Sequence, residues 1–254
     1  MANPLRERIK KGEKTRALWL EGASPVLAEA ACYAGFRFLL IDDEHGPSSI
    51  ETRTNTVRAI TAGGGHAMVR VVANDVGQLK HLLDSGISTV MVPRVETADE
   101  ARAAVEACRY PPHGSRGFAG EVRAARFGLD TGYADRAEDE VFLMLQIESK
   151  RGLENAEAIA AVDGVDMIFP GPYDLSGSLG LRGQTGHPDV LAGVDHIAET
   201  ARKAGRWLGT VPHGPRTVAD LIEDGYDLVI WNSDIGHAIN AMRADAEATP
   251  SEWL

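Results

Sequence analysis

Apolar positions along this chain follow two alternating rhythms. Short continuous apolar runs read as strands buried on both faces, and they alternate with stretches in which apolar residues return every three or four positions, as in amphipathic helices. The runs at residues 16–20, 36–41, 67–72, 89–92, 141–147, 165–169, 207–211 and 228–231 predict eight strands. The periodic stretches predict helices at about 24–34, 49–62, 75–84, 97–108, 153–161, 189–204, 216–223 and 234–248. Helix starts carry their own chemistry: Ser24-Pro25 supplies an N-cap and first-turn proline, and Thr97-Ala98-Asp99-Glu100 supplies a capping box.

A recurring joint supports the alternation. Ala34-Gly35-Phe36, Ser85-Gly86-Ile87, Asp163-Gly164-Val165, Ala204-Gly205-Arg206 and Asp224-Gly225-Tyr226 each place glycine between a helix and the next strand, where a left-handed residue ends the helix. Strands that alternate with helices must run parallel, and eight such units favour an α/β fold of the (β/α)8 TIM-barrel type over an open doubly wound sheet. The open sheet also lacks its fingerprint, since no GxGxxG follows the first strand and Gly63-Gly64-Gly65 precedes a strand. One domain over residues 1–254 is expected. The Gly- and Arg-rich segment at about 111–140 is longer than an ordinary connection and reads as a cover over the barrel mouth.

Composition narrows the possible partners. The chain has 254 residues, 44% hydrophobic and 25% charged, enough for a large core. Its net charge of -11 argues against nucleic acid or an anionic membrane as partner. Cys32 and Cys108 lie in Ala-rich segments without metal or redox spacing and read as small buried hydrophobes of a reducing compartment. The polar start, residues 1–14, has no apolar signal core, and no run approaches the roughly 20 apolar residues that span a bilayer, so a cytoplasmic location is expected.

The strand ends hold the candidate chemistry. In a parallel barrel the C-terminal strand ends converge on one mouth, so Glu148 after the fifth strand and Asp174 after the sixth can meet across one hard cation. Acids after strands also serve as helix N-caps or solvated loop residues. The second strand runs into Asp42-Asp43-Glu44-His45, where Asp42 is spaced to orient the His45 imidazole for general-base work; a solvated loop histidine is the other reading. Arg70 lies inside an apolar strand, where its guanidinium must meet either an anionic ligand or a structural acid. Gly171-Pro172 can offer backbone N–H groups near a carboxylate substrate, or simply mark a turn.

Several segments together resemble the signature motifs of the HpcH/HpaI aldolase family, the class II pyruvate aldolases named for 4-hydroxy-2-oxoheptane-1,7-dioate aldolase. They are Ile41-Asp42-Asp43-Glu44-His45-Gly46-Pro47, Met91-Val92-Pro93-Arg94-Val95-Glu96-Thr97-Ala98, Arg109-Tyr110-Pro111-Pro112-His113-Gly114-Ser115-Arg116-Gly117, Gln146-Ile147-Glu148 and Gly171-Pro172-Tyr173-Asp174-Leu175-Ser176. The likeness runs from about residue 18 to 243. It implies a lyase that cleaves 4-hydroxy-2-oxo acids to pyruvate and an aldehyde, or runs the reverse addition, with Mg2+, Mn2+ or Co2+. It also implies a homohexamer, a trimer of dimers with the last helix, about 234–248, exchanged between subunits. Carried onto this chain, it makes Glu148 and Asp174 the metal ligands, with Gln146, Gly171, Pro172 and Tyr173 around the bound oxo acid. Arg70 would lie on the keto oxygen, His45 paired with Asp42 would act on the aldol hydroxyl, and Asp84 would help hold that network.

A cation that polarises the ketone makes a lysine Schiff base unnecessary. Lys150, two residues past Glu148, is the one lysine placed for that alternative, and its position beyond the strand end reads as solvated. Asp43, Pro170 and the ends of the last two strands, Val211-Pro212-His213-Gly214-Pro215 and Trp231-Asn232-Ser233-Asp234, depart from the family pattern and leave the aldehyde open. Asp43 could raise the pKa of His45 or face water. An oxaloacetate-decarboxylating synthase of the same family and a non-catalytic oxo-acid-binding barrel are the alternatives.

Overall fold

A strand inside a closed parallel sheet must bury both faces, and the eight runs do so by sending alternate residues to opposite sides. The computed structural model of the protein describes residues 3–249. It closes β1 (Thr15–Leu20), β2 (Phe38–Asp42), β3 (His66–Arg70), β4 (Thr89–Val92), β5 (Phe142–Ile147), β6 (Met167–Pro170), β7 (Trp207–Thr210) and β8 (Leu228–Ser233) into one parallel barrel in sequence order. Trp19, Leu40, Met68, Met91, Met144, Phe169 and Ile230 fill the barrel interior. Leu18, Leu39, Val69, Val90, Leu145, Ile168 and Val229 face outward into a second apolar layer beneath the helices. The interior is tight where β6 meets β7, because a Cβ on Gly209 would lie 2.7 Å from the Phe169 ring.

The helices are α1 (Pro4–Lys10), α2 (Pro25–Tyr33), α3 (Ile50–Ala62), α4 (Val76–Asp84), α5 (Ala98–Cys108), α6 (Tyr133–Glu140), α7 (Lys150–Glu154), α8 (Ala156–Ala160), α9 (Pro172–Ser178), α10 (Pro188–Lys203), α11 (Val218–Glu223) and α12 (Asp234–Ala248). Ser24, Ser49, Asp75 and Thr97 each accept from a first-turn N–H, but the box expected at Thr97 closes on one side only, because Glu100 accepts from the Glu96 N–H and not from that of Thr97. The joint glycines take the left-handed conformation, as at Gly35 with φ +107° and Gly164 with φ +95°. Both cysteines are free and buried. Among the described residues no helix is long and apolar enough to cross a membrane.

Two features differ from the sequence expectation. The polar start is not a plain tail: α1 inserts Leu5 and Ile9 into the barrel core at its base. Asn3 holds it there, accepting from the N–H groups of Leu5 and Arg6 and donating to Ser88 O at 3.2 Å, Thr89 Oγ1 at 2.9 Å and Glu140 O at 3.0 Å. The segment at 111–140 lies at the same base within this chain and does not cover the mouth. Arg116 pairs with Asp84, the last residue of α4, at 2.8 Å, and Arg123 donates to Ser85 O at 2.7 Å. The reason is topological: a connection that leaves a helix and enters a strand must arrive at the strand's N-terminal end.

Asn3→Ala removes the α1 cap together with buried donors to β4, so the unfolding free energy is expected to fall by about 1–3 kcal/mol. Urea denaturation measures this, and an unchanged midpoint would show that α1 does not brace the base.

Candidate active site

Strand register sets the first contact of the mouth. Asp42 and Arg70 end β2 and β3 as directly opposed residues, so both side chains emerge at the same level beside the interior. Arg70 Nε donates to Asp42 Oδ1 at 2.9 Å and Nη2 to Oδ2 at 2.8 Å, a bidentate fork. Its Nη1 lies 3.0 Å from Glu44 Oε2, and the guanidinium sits 4.5 Å from the centre of the Trp19 ring. Burial works against the charge, but the bond to Asp42 and the charges of Asp42, Glu44 and Glu148 hold Arg70 above the ordinary arginine range.

This fork decides where His45 can look for an acid. The expected Asp42–His45 pair does not form, because both Asp42 oxygens accept from the buried guanidinium and Oδ1 also accepts from the Glu44 N–H at 3.1 Å. His45 stands exposed on the loop after β2, and its Nε2 is 3.8 Å from Glu44 Oε2. Glu44 thus bridges Arg70 and His45, a role that the sequence reading left unassigned. Asp43 takes neither course considered for it: it turns away from the mouth, is buried, and pairs with Arg53 of α3.

The second cluster lies across the mouth at the ends of β5 and β6. Glu148 follows Ile147, is 4% exposed, and accepts from the Arg94 N–H at 2.8 Å and from Gln146 Nε2. Burial, then the charges of Asp174 and Glu44, push its carboxyl up to about 8. Gln146 Oε1 is buried with no hydrogen-bond partner. A Cβ on Gly171 would lie 2.5 Å from Glu148 Oε2, so only glycine lets this turn close over the carboxylate. Asp174 sits in the first turn of α9 and lines a cavity of about 460 Å3 with Arg70, Gln146, His45 and Gly171.

These residues fit a hard divalent cation. Burial, and then the charge of Asp174, raise the Glu148 carboxyl, a buried amide oxygen beside it lacks a donor, and these carboxylates and the amide offer oxygen ligands. Among the described residues no cluster of three or more His, Cys, Asp or Glu side chains forms a complete cage, so the ion would take its other ligands from water or substrate.

Of the other expected site residues, Gly171 and Pro172 line the cavity and Tyr173 stands exposed at its rim. Asp84 is not brought to His45 within this chain. As the last residue of α4 it lies at the barrel base, held by Arg116, because helices here run from the mouth back to the base. Lys150 is exposed, 4.0 Å from Glu154, and does not line the cavity. The sequence reading missed Trp19 and Glu21 at the end of β1, although strand-end position was the signal that picked out the acids of β5 and β6.

Comparison with known proteins shows the family of the chain. The HpcH/HpaI aldolase/citrate lyase family profile matches residues 16–241. A hydroxypyruvate/pyruvate aldolase of Cupriavidus necator is 39% identical over 242 residues, covering 95% of this chain and 90% of that protein. A 2-dehydro-3,6-dideoxy-6-sulfogluconate aldolase of Pseudomonas putida is 43% identical over 227 residues, covering 89% of each. The crystal structure of an HpcH/HpaI aldolase/citrate lyase family protein from Burkholderia cenocepacia superposes with a TM-score of 0.91 at 37% identity, covering 97% of this chain and 98% of that one.

The raised Glu148 carboxyl makes stability depend on pH in the metal-free protein. With a folded value of about 8 against an ordinary 4.5, Glu148 keeps a proton in the fold that the unfolded chain has released. That contribution is fully present below the ordinary value and is lost as pH rises through the folded one. Glu148→Gln mimics the protonated form, so in chelator the parent Tm should fall increasingly below that of the variant between about pH 5 and 9. Parallel Tm curves would contradict the assignment.

Proposed function

We propose, for a chain that belongs to the HpcH/HpaI aldolase/citrate lyase family and is a divalent-metal-dependent aldolase, that Glu148 and Asp174 hold the cation and that Arg70 and His45 divide the work at the two ends of the bond that breaks. The reaction is the cleavage of a 4-hydroxy-2-oxo acid to pyruvate and an aldehyde, or its reverse. The observation that carries the site assignment is the pair of acids at neighbouring strand ends, one of them pushed up to about 8 by burial and by its partner's charge. Oxygen-only donors suit Mg2+ or Mn2+, and Co2+ would be accepted in the same geometry.

When bound, the cation supplies Lewis-acid polarisation of a 2-oxo acid's keto group. The chain's own residues do the rest. Of Arg70's five N–H donors, Asp42 takes two, and Glu44 lies against Nη1 as an ion pair without a hydrogen bond, which leaves donors to meet the negative charge that grows on the keto oxygen. The stack on Trp19 and the Asp42 fork fix the guanidinium, so this donor needs no reorganisation during reaction. His45 Nε2, on the exposed loop after β2 beside Glu44, takes the proton from the hydroxyl as the carbon–carbon bond breaks and returns it in the reverse direction. Gln146 and the Gly171-Pro172 turn shape the wall against which the oxo acid lies.

Proton NMR of pyruvate in D2O tests this without knowledge of the aldehyde. The enzyme with Mg2+ should exchange the methyl protons, EDTA should stop the exchange, and Arg70→Ala should slow it by on the order of 10²- to 10³-fold. Exchange that survives EDTA, or borohydride trapping of pyruvate on Lys150, would overturn the reading.

We also assign this chain to a homohexamer, a trimer of dimers with α12 exchanged. Along α12 Ile235, Ile239 and Met242 are exposed, and on the basal loop Phe118, Phe127 and Leu129 are exposed too, more apolar surface than a lone barrel leaves without a partner. Deleting the residues after Ser233 should lower the mass seen by light scattering, and an unchanged mass would sink the exchange.

A further inference from the structure

Residues 43–49 join β2 to α3, and this loop carries both Glu44 and His45. The chain doubles back sharply there, since a Cβ on Gly46 would lie 2.2 Å from the Asp42 carbonyl oxygen. Two backbone donors hold the start of the loop: the Asp43 N–H donates to Arg70 O at 3.0 Å and the Glu44 N–H to Asp42 Oδ1 at 3.1 Å. Ser49 holds its end, capping α3 by accepting from the Thr52 N–H at 3.1 Å. Among the described residues no backbone hydrogen bond fixes 45–48 in between.

One buried contact ties the two ends of the loop to each other. Arg53, one turn into α3, donates from Nη1 to Asp43 Oδ2. Within a single chain the two side chains are only 7% and 3% exposed, so no neighbouring subunit can replace either partner. The other carboxylate oxygen, Asp43 Oδ1, is buried with no hydrogen-bond partner. Burial pushes the Asp43 carboxyl up, and the charge and hydrogen bond of Arg53 oppose it. Neither element needs the pair for its own packing: β2 is held by its ladders to β1 and β3, and α3 by Val57 and Ile60 in the outer apolar layer. Neither side chain borders the mouth cavity.

We infer that Asp43 and Arg53 are positioning residues for the reaction: by closing the neck of the loop they set where Glu44 meets the Arg70 guanidinium and where His45 Nε2 stands beside Glu44. A buried carboxylate deprived of Arg53 must take a proton or turn toward water, and either response moves the residue that lies between Asp42 and Glu44. A displacement of about 1 Å in a group that transfers a proton costs on the order of 10²-fold in rate. The acids at the ends of β5 and β6 stand on other elements and keep their places. The inference rests on the aldolase reading of this site, with His45 as the group that moves the proton.

Pyruvate methyl exchange in D2O needs a proton acceptor at the mouth as well as the cation, so it reads the loop. Arg53→Met, which keeps the stem and removes the charge, should lower the kcat of exchange by roughly 10- to 100-fold with pyruvate KM and Mn2+ affinity little changed. Arg53→Lys should recover most of that loss. In a His45→Ala background Arg53→Met should add little, because a positioning residue then has nothing left to position. Should Arg53→Met fail to fold, the double variant Asp43→Leu/Arg53→Met, which strands no charge, takes its place with the same expectations. An unchanged kcat, a loss of Mn2+ affinity in step with kcat, or an equal loss in the His45→Ala background overturns this inference and leaves the aldolase reading standing. Failure of the parent enzyme to exchange at all removes the aldolase reading and this inference with it.

Discussion

A guanidinium that cannot give up its proton is buried at the centre of the mouth, and the neighbouring groups are arranged around that constraint. Arg70 reaches this position because β3 must place its last residue level with the last residue of β2, and it is stable there because that residue is Asp42. Removing one partner of such a buried pair costs about 3–5 kcal/mol, since the other charge is stranded. Asp42 is therefore unavailable to His45, and Glu44, which reaches the third side of the guanidinium, becomes the acid that His45 faces. One charge thus determines the partners of three others.

The same charge also exposes a deficit. Asp42, Glu44, Glu148 and Asp174 meet around Arg70, so the mouth holds more negative than positive charge when all are ionised. The fold can answer in two ways: a proton on Glu148, or a cation between Glu148 and Asp174. The raised Glu148 carboxyl expresses the first answer, and metal binding would replace it by displacing that proton. Affinity for the cation should accordingly weaken as the solution becomes more acidic.

Much of this was legible in sequence for a physical reason. Parallel barrel strands bury both faces and must be apolar, so the eight runs stood out, and helix caps and joint glycines marked the boundaries to within a few residues. Strand-end position brought Glu148, Asp174 and Arg70 to one mouth. What stayed hidden depended on the third dimension. Which acid Asp42 or Glu44 serves is a matter of side-chain direction after a turn, and spacing alone favoured the wrong one. Within this chain Asp84 and the 111–140 segment lie at the base and not at the mouth, as topology could have indicated, because residues that follow a helix and precede a strand belong there. The short α1 escaped notice because only Leu5 and Ile9 among its seven residues are buried, too few to give a periodic signal.

The two halves of the mouth also differ in how freely they can change. On the oxo-acid side, Arg70, Gln146 and Glu148 stand on or directly after strands, are buried, and are linked by charge, so altering one disturbs the balance of all. On the aldehyde side, Glu21, His45 and Asn232 sit on strand ends and loops, and none of them carries a strong ion pair. Specificity can therefore drift there at little cost to the fold, as is expected for loops held by a rigid scaffold. A shared enolising half beside a variable aldehyde half gives a physical reason why relatives of similar overall identity carry the names of aldolases for different substrates.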